Sequence, residues 1–254
     1  MKAAWRWLLL VLAAGVLLQL YFVARIAAML VIDPQSSAFE RSEAWRLATD
    51  GKPMQWRQQW TPYGQMSDQL KRAVIASEDD GFVNHDGVDW NAVEKAWQKN
   101  AQAEERLAKL QARNGSKTPH NKPANAKPVK PPKVVGGSTI TQQLAKNLFL
   151  SGERTLLRKG QEFVLALMLE AMLDKRRILE IYLNSVEWGE GIFGAEAAAQ
   201  HYFHKSAAHL TGYEAARLAV MLPRPKYFEK LPNSSYVAGR AAVIVNRLDN
   251  ALLP

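Results

Sequence analysis

The 254-residue chain contains no cysteine. Disulfides and cysteine-held metals are therefore excluded, and the fold must rest on its core. Runs that alternate apolar and polar residues are nearly absent, which argues against a large sheet. Charge is missing from Trp7 to Ala24, where Gln19 is the one strongly polar side chain. A general excess of positive charge is missing too: residues 99–134 hold nine Lys/Arg against two Glu, a net +7 of the chain's +9. An overall basic balance would suggest nucleic acid. Here the charge sits in one Pro- and Lys-rich stretch rather than on a folded face, so no nucleic-acid partner is expected.

What is present is a globular composition, with 48% hydrophobic and 22% charged residues. The apolar N-terminus continues past Arg25 to Ile32, reaching the ~20 residues that span a bilayer. It is longer than a signal-peptide core and has no Ala-x-Ala cleavage site before residue 33, so an uncleaved anchor is expected. Trp5, Trp7, Tyr21 and Phe22 suit the interfaces. Lys2 and Arg6 before the span, against Arg41 and Arg46 after it, lean only slightly towards a cytoplasmic N-terminus. The expected organisation is a tail and anchor over 1–32 and one domain over 33–254, interrupted by a basic insertion at about 99–134.

After residue 60 the spacing predicts helix after helix, so the fold class is mainly α. Helices are expected over Ser67–Glu78, Thr139–Leu150, Phe163–Leu173, Arg177–Leu183 and Thr211–Leu222. Phe163–Leu173, almost wholly apolar, is expected to be a central buried helix. Thr139-x-x-Gln142 and Thr211-x-x-Glu214 have the pattern of capping boxes. Lys99–Arg113 can extend a helix begun near Trp90. The segment from Asn114 to Lys133, with five prolines and five lysines, cannot bury a core and is expected to be disordered or extended.

Four blocks carry chemistry. In the first, Glu78 lies four residues after Val74, on the inward face of its helix. A partly desolvated acid there has a raised pKa and suits proton transfer; the alternative is a polar turn ending a helix. In the second, Gly136-Gly137 feeds a capped helix whose free N–H groups and dipole suit an anion. Gln143, Lys146 and Asn147 share one side of it, which is either an anion-holding face or a solvated one, and Gln142 is alternatively only a cap. The third is Arg154 with Arg158-Lys159-Gly160-Gln161-Glu162. A cation N-terminal to a Glu is the poorer order for stabilising a helix, so a diphosphate site explains the cluster better, with a structural ion pair as the alternative. The fourth, Lys175 to Asn184, reads as mainly structural. Gly189-x-Gly191-x-x-Gly194 matches a dinucleotide pattern but follows a helix rather than a strand of a βαβ unit. His201-x-x-His204 is a weak metal hint, and its aromatic neighbours suggest packing.

In this order the blocks resemble glycosyltransferase family 51, specifically its monofunctional biosynthetic peptidoglycan transglycosylases, over roughly residues 60–250. Glu78-Asp79-x-x-Phe82-x-x-His85-x-Gly87 is similar to the first family motif. Gly137-Ser138-Thr139-Ile140-x-Gln142-Gln143-Leu144-x-Lys146-Asn147 is similar to the second. Arg158-Lys159-x-x-Glu162 and Ile178-Leu179-Glu180-x-Tyr182-Leu183-Asn184 resemble the third and fourth. The resemblance implies a lysozyme-like, two-lobed helical domain behind the transmembrane helix. It implies lipid II as substrate, growing glycan strands as product, and inverting transfer that releases undecaprenyl diphosphate. It implies Glu78 and Glu162 as catalytic residues, Glu78 being the general base. Ser138, Thr139, Gln142, Gln143, Lys146, Asn147, Arg154, Arg158 and Lys159 would bind substrate. Glu162 would meet a divalent cation, Mg or Mn, through the diphosphate, and no organic cofactor is implied. It places the catalytic domain on the periplasmic side of the inner membrane, as a single-pass protein among membrane lipids and other cell-wall synthesis proteins.

Two departures are visible. No Ser-x-x-Lys occurs and Lys117-Thr118 is followed by Pro119, so the penicillin-binding transpeptidase signature is absent. The 99–134 stretch also separates the first two motifs more widely than is usual; it either draws the domain to anionic headgroups or is a tolerated surface loop. The alternatives are a lysozyme-like lytic glycosidase, which has no need of an anion clamp, and a membrane-tethered scaffold.

Overall fold

A computed structural model describes residues 2–51, 55–115, 137–150 and 155–254. Arg154 and the expected extended segment Pro119–Pro132 therefore lie outside the described residues. The chain divides into two compact units, residues 1–88 with 139–254, and residues 89–138.

The larger unit begins with α1 (Lys2–Ala28), of which Ala3–Ala28 is long and apolar enough to cross a membrane. Its first four turns are exposed, but Phe22, Ile26 and Met29 are buried in the core. Phe22 meets Phe149 edge-on at 5.4 Å, and Arg177 Nε donates to the Met29 carbonyl at 2.8 Å. Gln19, the polar residue of the span, exchanges amide hydrogen bonds with Gln161 at 3.3 and 3.4 Å. Such pairing answers the cost of an amide in an apolar surrounding.

α2 (Ala38–Thr49) opens on a capping box, Ser37 with Glu40, that was not among the expected starts. α3 (Asp68–Glu78), capped by Ser67, buries Leu70, Ala73 and Val74. α5 (Ile140–Phe149) buries Ile140, Leu144 and Leu148, and Thr139 and Gln142 form the expected capping box. α6 (Leu156–Met172) starts at the Thr155 cap and α7 (Lys175–Ser185) at the Asp174 cap. α8 (Ala195–Phe203), α9 (Gly212–Met221, with the expected Thr211–Glu214 box), α10 (Pro225–Phe228) and α11 (Ser235–Val245) complete it. Trp188, Tyr182, Phe82 and Phe193 are the bulkiest fully buried side chains. The fold is mainly α, as expected.

One expectation needs correction. α6 is not a central buried helix: it buries Glu162, Leu165, Ala166 and Leu169 but exposes Leu156, Leu157, Val164 and Leu167. An all-round apolar helix reads as core unless a lipid face takes the other side.

The sheet is small, with strand order β1–β3–β2. β1 (Arg57–Gln58) runs parallel to β3 (Ile192–Phe193), with Arg57 opposite Ile192, and β3 is antiparallel to β2 (Glu187–Gly189). Thus Gly189-x-Gly191-x-x-Gly194 is a hairpin leading into α8, not a βαβ turn. Gly191 has φ +72°, and a Cβ there would lie 1.9 Å from the Gln55 carbonyl oxygen. Gly191→Ala is therefore expected to destabilise by at least ~1–2 kcal/mol from the left-handed backbone alone, with more from the clash. Gly239→Ala, inside α11 with open space around it, is expected to stabilise by ~0.5–1 kcal/mol. Thermal unfolding of both reads the opposite signs; equal shifts would refute the argument.

The second unit holds α4 (Trp90–Gly115), so the helix expected to continue through Lys99–Arg113 does so. Asp89 Oδ1 caps it by accepting from the Ala92 N–H at 2.8 Å. Gly137 lies in this unit against the first turn of α4, where a Cβ would be 3.1 Å from the Ala92 carbonyl oxygen.

Candidate active site

The first two motifs meet through their structural residues. Asp79 ends α3; its Oδ2 accepts from the Ile140 N–H at 2.9 Å and its Oδ1 faces His85 Nε2 at 2.9 Å. Thr139 Oγ1 donates to the Gly87 carbonyl at 2.7 Å. Lys175 Nζ donates to the His85 carbonyl and pairs with Glu170 at 2.7 Å. Together these bonds fix the last turn of α3 against the first turn of α5.

Glu78, on that last turn, is thereby placed beside α5. Gln143 Nε2 donates to Glu78 Oε2 at 3.0 Å, and Tyr182 Oη donates to Gln143 Oε1 at 3.0 Å. An ionised carboxylate can only accept, so it takes the amide N–H, and the amide oxygen is left to accept from the phenol. Burial raises the Glu78 pKa, against the opposing pull of the Gln143 and Ser77 hydrogen bonds; Asp79 raises it further and Lys146 lowers it. The fully buried Tyr182 phenol is pushed well above its ordinary value and stays a donor. Tyr182→Phe removes one buried hydrogen bond worth ~1 kcal/mol. It is expected to cost several-fold in turnover with little change in substrate binding, and steady-state kinetics would show the split. An unchanged turnover number would remove Tyr182 from this role.

The third motif supplies the cations. Arg158 Nη1 bonds Glu162 Oε2 at 3.0 Å, and Lys159 Nζ bonds Glu162 Oε1. Glu162 is buried, while Arg158 keeps a buried Nε with no hydrogen-bond partner. Lys146 retains solvent contact, yet desolvation lowers its pKa; Glu162 opposes this, Arg158 and Lys159 reinforce it, and Glu78 raises the value slightly. Lys146 is thus within electrostatic range of both Glu78 and the cation cluster. A cleft of about 300 Å³ is lined by Gln143, Lys146, Asn147, Arg158 and Glu187 among others.

The expected residues thus separate. Glu78, Gln143, Lys146, Asn147, Arg158, Lys159 and Glu162 come together. Thr139 and Gln142 are not among the residues that line the cleft: they are 2% and 5% exposed, and Thr139 Oγ1 and Gln142 Oε1 serve the helix cap. Ser138 falls in the second unit. Asn184, of the fourth motif, is structural, exchanging two hydrogen bonds with the Thr61 backbone at 2.8 and 2.9 Å. Tyr182 lies in a stretch whose sequence reads as mainly structural, and no motif or spacing in the sequence marks Glu187.

As a metal site the donors do not fit. Both Glu162 oxygens are engaged by cations, and no group of three His, Cys, Asp or Glu that could hold a metal occurs among the described residues.

The transglycosylase family model matches residues 47–109 and 123–249. The chain is 51% identical over 236 residues to a biosynthetic peptidoglycan transglycosylase of Burkholderia thailandensis, covering 93% of this chain and 82% of that protein. Proteins of the same name from Burkholderia pseudomallei, at 49% identity, and Paraburkholderia xenovorans, at 47%, match the same 93% of this chain and 82% and 87% of their own lengths. The chain belongs to the transglycosylase family.

Proposed function

We propose that this protein polymerises lipid II into peptidoglycan glycan strands by inverting glycosyl transfer, releasing undecaprenyl diphosphate. The observation that carries the reading is one cleft lined by Gln143, which bonds the Glu78 carboxylate, and by Lys146 and Arg158, the latter paired with Glu162. Glu78 takes the proton from the acceptor 4-hydroxyl as that oxygen attacks the donor's anomeric carbon. The bond from that carbon to the diphosphate breaks, and Lys146, Arg158 and Lys159 stabilise the charge that develops. The unpartnered Arg158 Nε is a donor ready for a phosphate oxygen. Glu162 acts by positioning, since both its oxygens hold those cations. A divalent cation enters this reading only as a counter-ion that the diphosphate brings, and no step depends on it.

The anchor fits a substrate and product that both stay lipid-bound. α1 supplies one apolar span, and α6, which hydrogen-bonds it through Gln161, exposes Leu156, Leu157, Val164 and Leu167 as an apolar row. Such a row suits the acyl boundary of a bilayer. The reading places the span in the inner membrane with the catalytic domain on its periplasmic side. Purified protein with labelled lipid II tests it: polymer supports the reading, whereas release of muropeptides from glycan strands without polymer would favour a lytic glycosidase.

A further inference from the structure

The cleft also carries an acid that the reaction scheme does not use. Glu187 opens β2, and its side chain is only 7% exposed. It lines the same cleft as Gln143, Lys146 and Arg158. Its Oε1 is buried and has no hydrogen-bond partner, the Lys226 ammonium standing off at 3.4 Å. That ammonium is held instead by Glu43, whose Oε2 it meets at 2.5 Å. A carboxylate oxygen left unsatisfied in a buried place carries a desolvation cost.

We propose that Glu187 is a saccharide-binding group of the cleft, its Oε1 accepting a hydrogen bond from a hydroxyl or acetamido N–H of a bound sugar, with Lys226 and Glu43 positioning it. The proposal rests on the polymerase reading, because that reading supplies a sugar to the cleft. The chemistry fits a neutral donor. A sugar hydroxyl or amide N–H satisfies the open lone pair, whereas an anionic group is already served by Lys146 and Arg158 on the same cleft. Lys226 pairs with this oxygen at 3.4 Å without a well-formed hydrogen bond, so a lone pair is left for a neutral donor.

The environment makes the contact titratable. Burial, with Glu43 assisting, raises the Glu187 pKa to about 7, while Lys226 and Arg46 pull it down. The charged groups that set this balance are Lys226 from α10 and Glu43 and Arg46 from α2; the neutral Tyr202 phenol from α8 is near enough for Glu187 to raise its pKa. Ionised, Glu187 is an acceptor on both oxygens; protonated, it loses that capacity at one of them. Binding should therefore tighten as pH rises through about 7.

The test measures binding of purified lipid II in detergent across pH 6–8, using full-length protein carrying Glu78→Gln so that turnover and the titration of Glu78 are both removed. The dissociation constant is expected to fall about tenfold across that window, as for loss of a charge-assisted hydrogen bond. Adding Glu187→Gln is expected to give the weaker constant throughout and to flatten the profile. Lys226→Met keeps Glu187 but removes its counter-charge, so the midpoint should move upward; this arm stands even if the first variant folds poorly. A pH-flat profile with Glu187 intact overturns the proposal, as does an unaltered slope after Glu187→Gln. Polymer formation by the unsubstituted enzyme is checked separately. Its absence removes the polymerase reading and this proposal together, whereas polymer with pH-flat binding removes this proposal alone.

Discussion

Glu78→Gln is expected to abolish polymerisation, by ~10² to 10⁴-fold or more, and to leave the protein at least as stable as the parent at neutral pH. The first effect follows from chemistry. Gln keeps the shape and can still accept the Gln143 N–H, the Gln143 oxygen being held by Tyr182 Oη, but it cannot take the acceptor's proton. The second follows from linkage. Burial raises the Glu78 pKa above the ordinary carboxylate value, so its ionised form is disfavoured in the folded state. That cost is fully present above the folded pKa and absent below the ordinary one. The amide removes it, so the melting temperature of the variant should match or exceed the parent's at neutral pH, with the difference vanishing on acidification. In the parent, the acidic limb of kcat/KM should lie above the range of an ordinary carboxylate. A dead enzyme that melts earlier would mean that Glu78 is structural, and near-normal activity would remove it from the base role.

How much of this was legible in the sequence depends on what each residue's neighbours leave unsaid. The α3 end and the α5 start were readable because caps and helical spacing are local: Ser67, Thr139 and Gln142 announce their helices, and Glu78 follows Val74 by one turn. The same local chemistry misleads when a motif is taken as substrate-binding throughout. Thr139 Oγ1 and Gln142 Oε1 are engaged in capping the helix terminus. Tyr182 sits in a stretch that reads as packing, and only the fold brings its hydroxyl to Gln143, 39 residues away. Glu187 lies in a three-residue strand, too short for any period to show, and its counter-ion is 39 residues further on. α6 fooled the pattern for a different reason. Composition cannot tell a face that meets core from one suited to lipid, and this helix has both.

Lys146→Ala is expected to lower turnover by ~10² to 10³-fold, the cost of losing one preorganised stabiliser of developing charge, with a smaller effect on substrate binding. The ammonium lines the cleft with Arg158, and desolvation, with Arg158 and Lys159 assisting and Glu162 and Glu78 opposing, lowers its pKa. It must be protonated to stabilise the departing diphosphate, so the basic limb of the pH profile should fall below the ordinary lysine range. Lys146→Arg keeps the charge at any accessible pH and should move that limb upward while retaining part of the turnover. Glu162→Gln acts differently. It leaves Arg158 and Lys159 without the carboxylate that holds them. Turnover should fall because the cations lose their aim, although more positive charge then faces the leaving group. Single-turnover measurements on the three variants separate the cases. If Lys146→Ala and Glu162→Gln both unfold at room temperature, the cluster is a structural ion-pair network. If both stay folded and lose turnover while Lys146→Arg shifts only the basic limb, the cluster is the clamp for the leaving group.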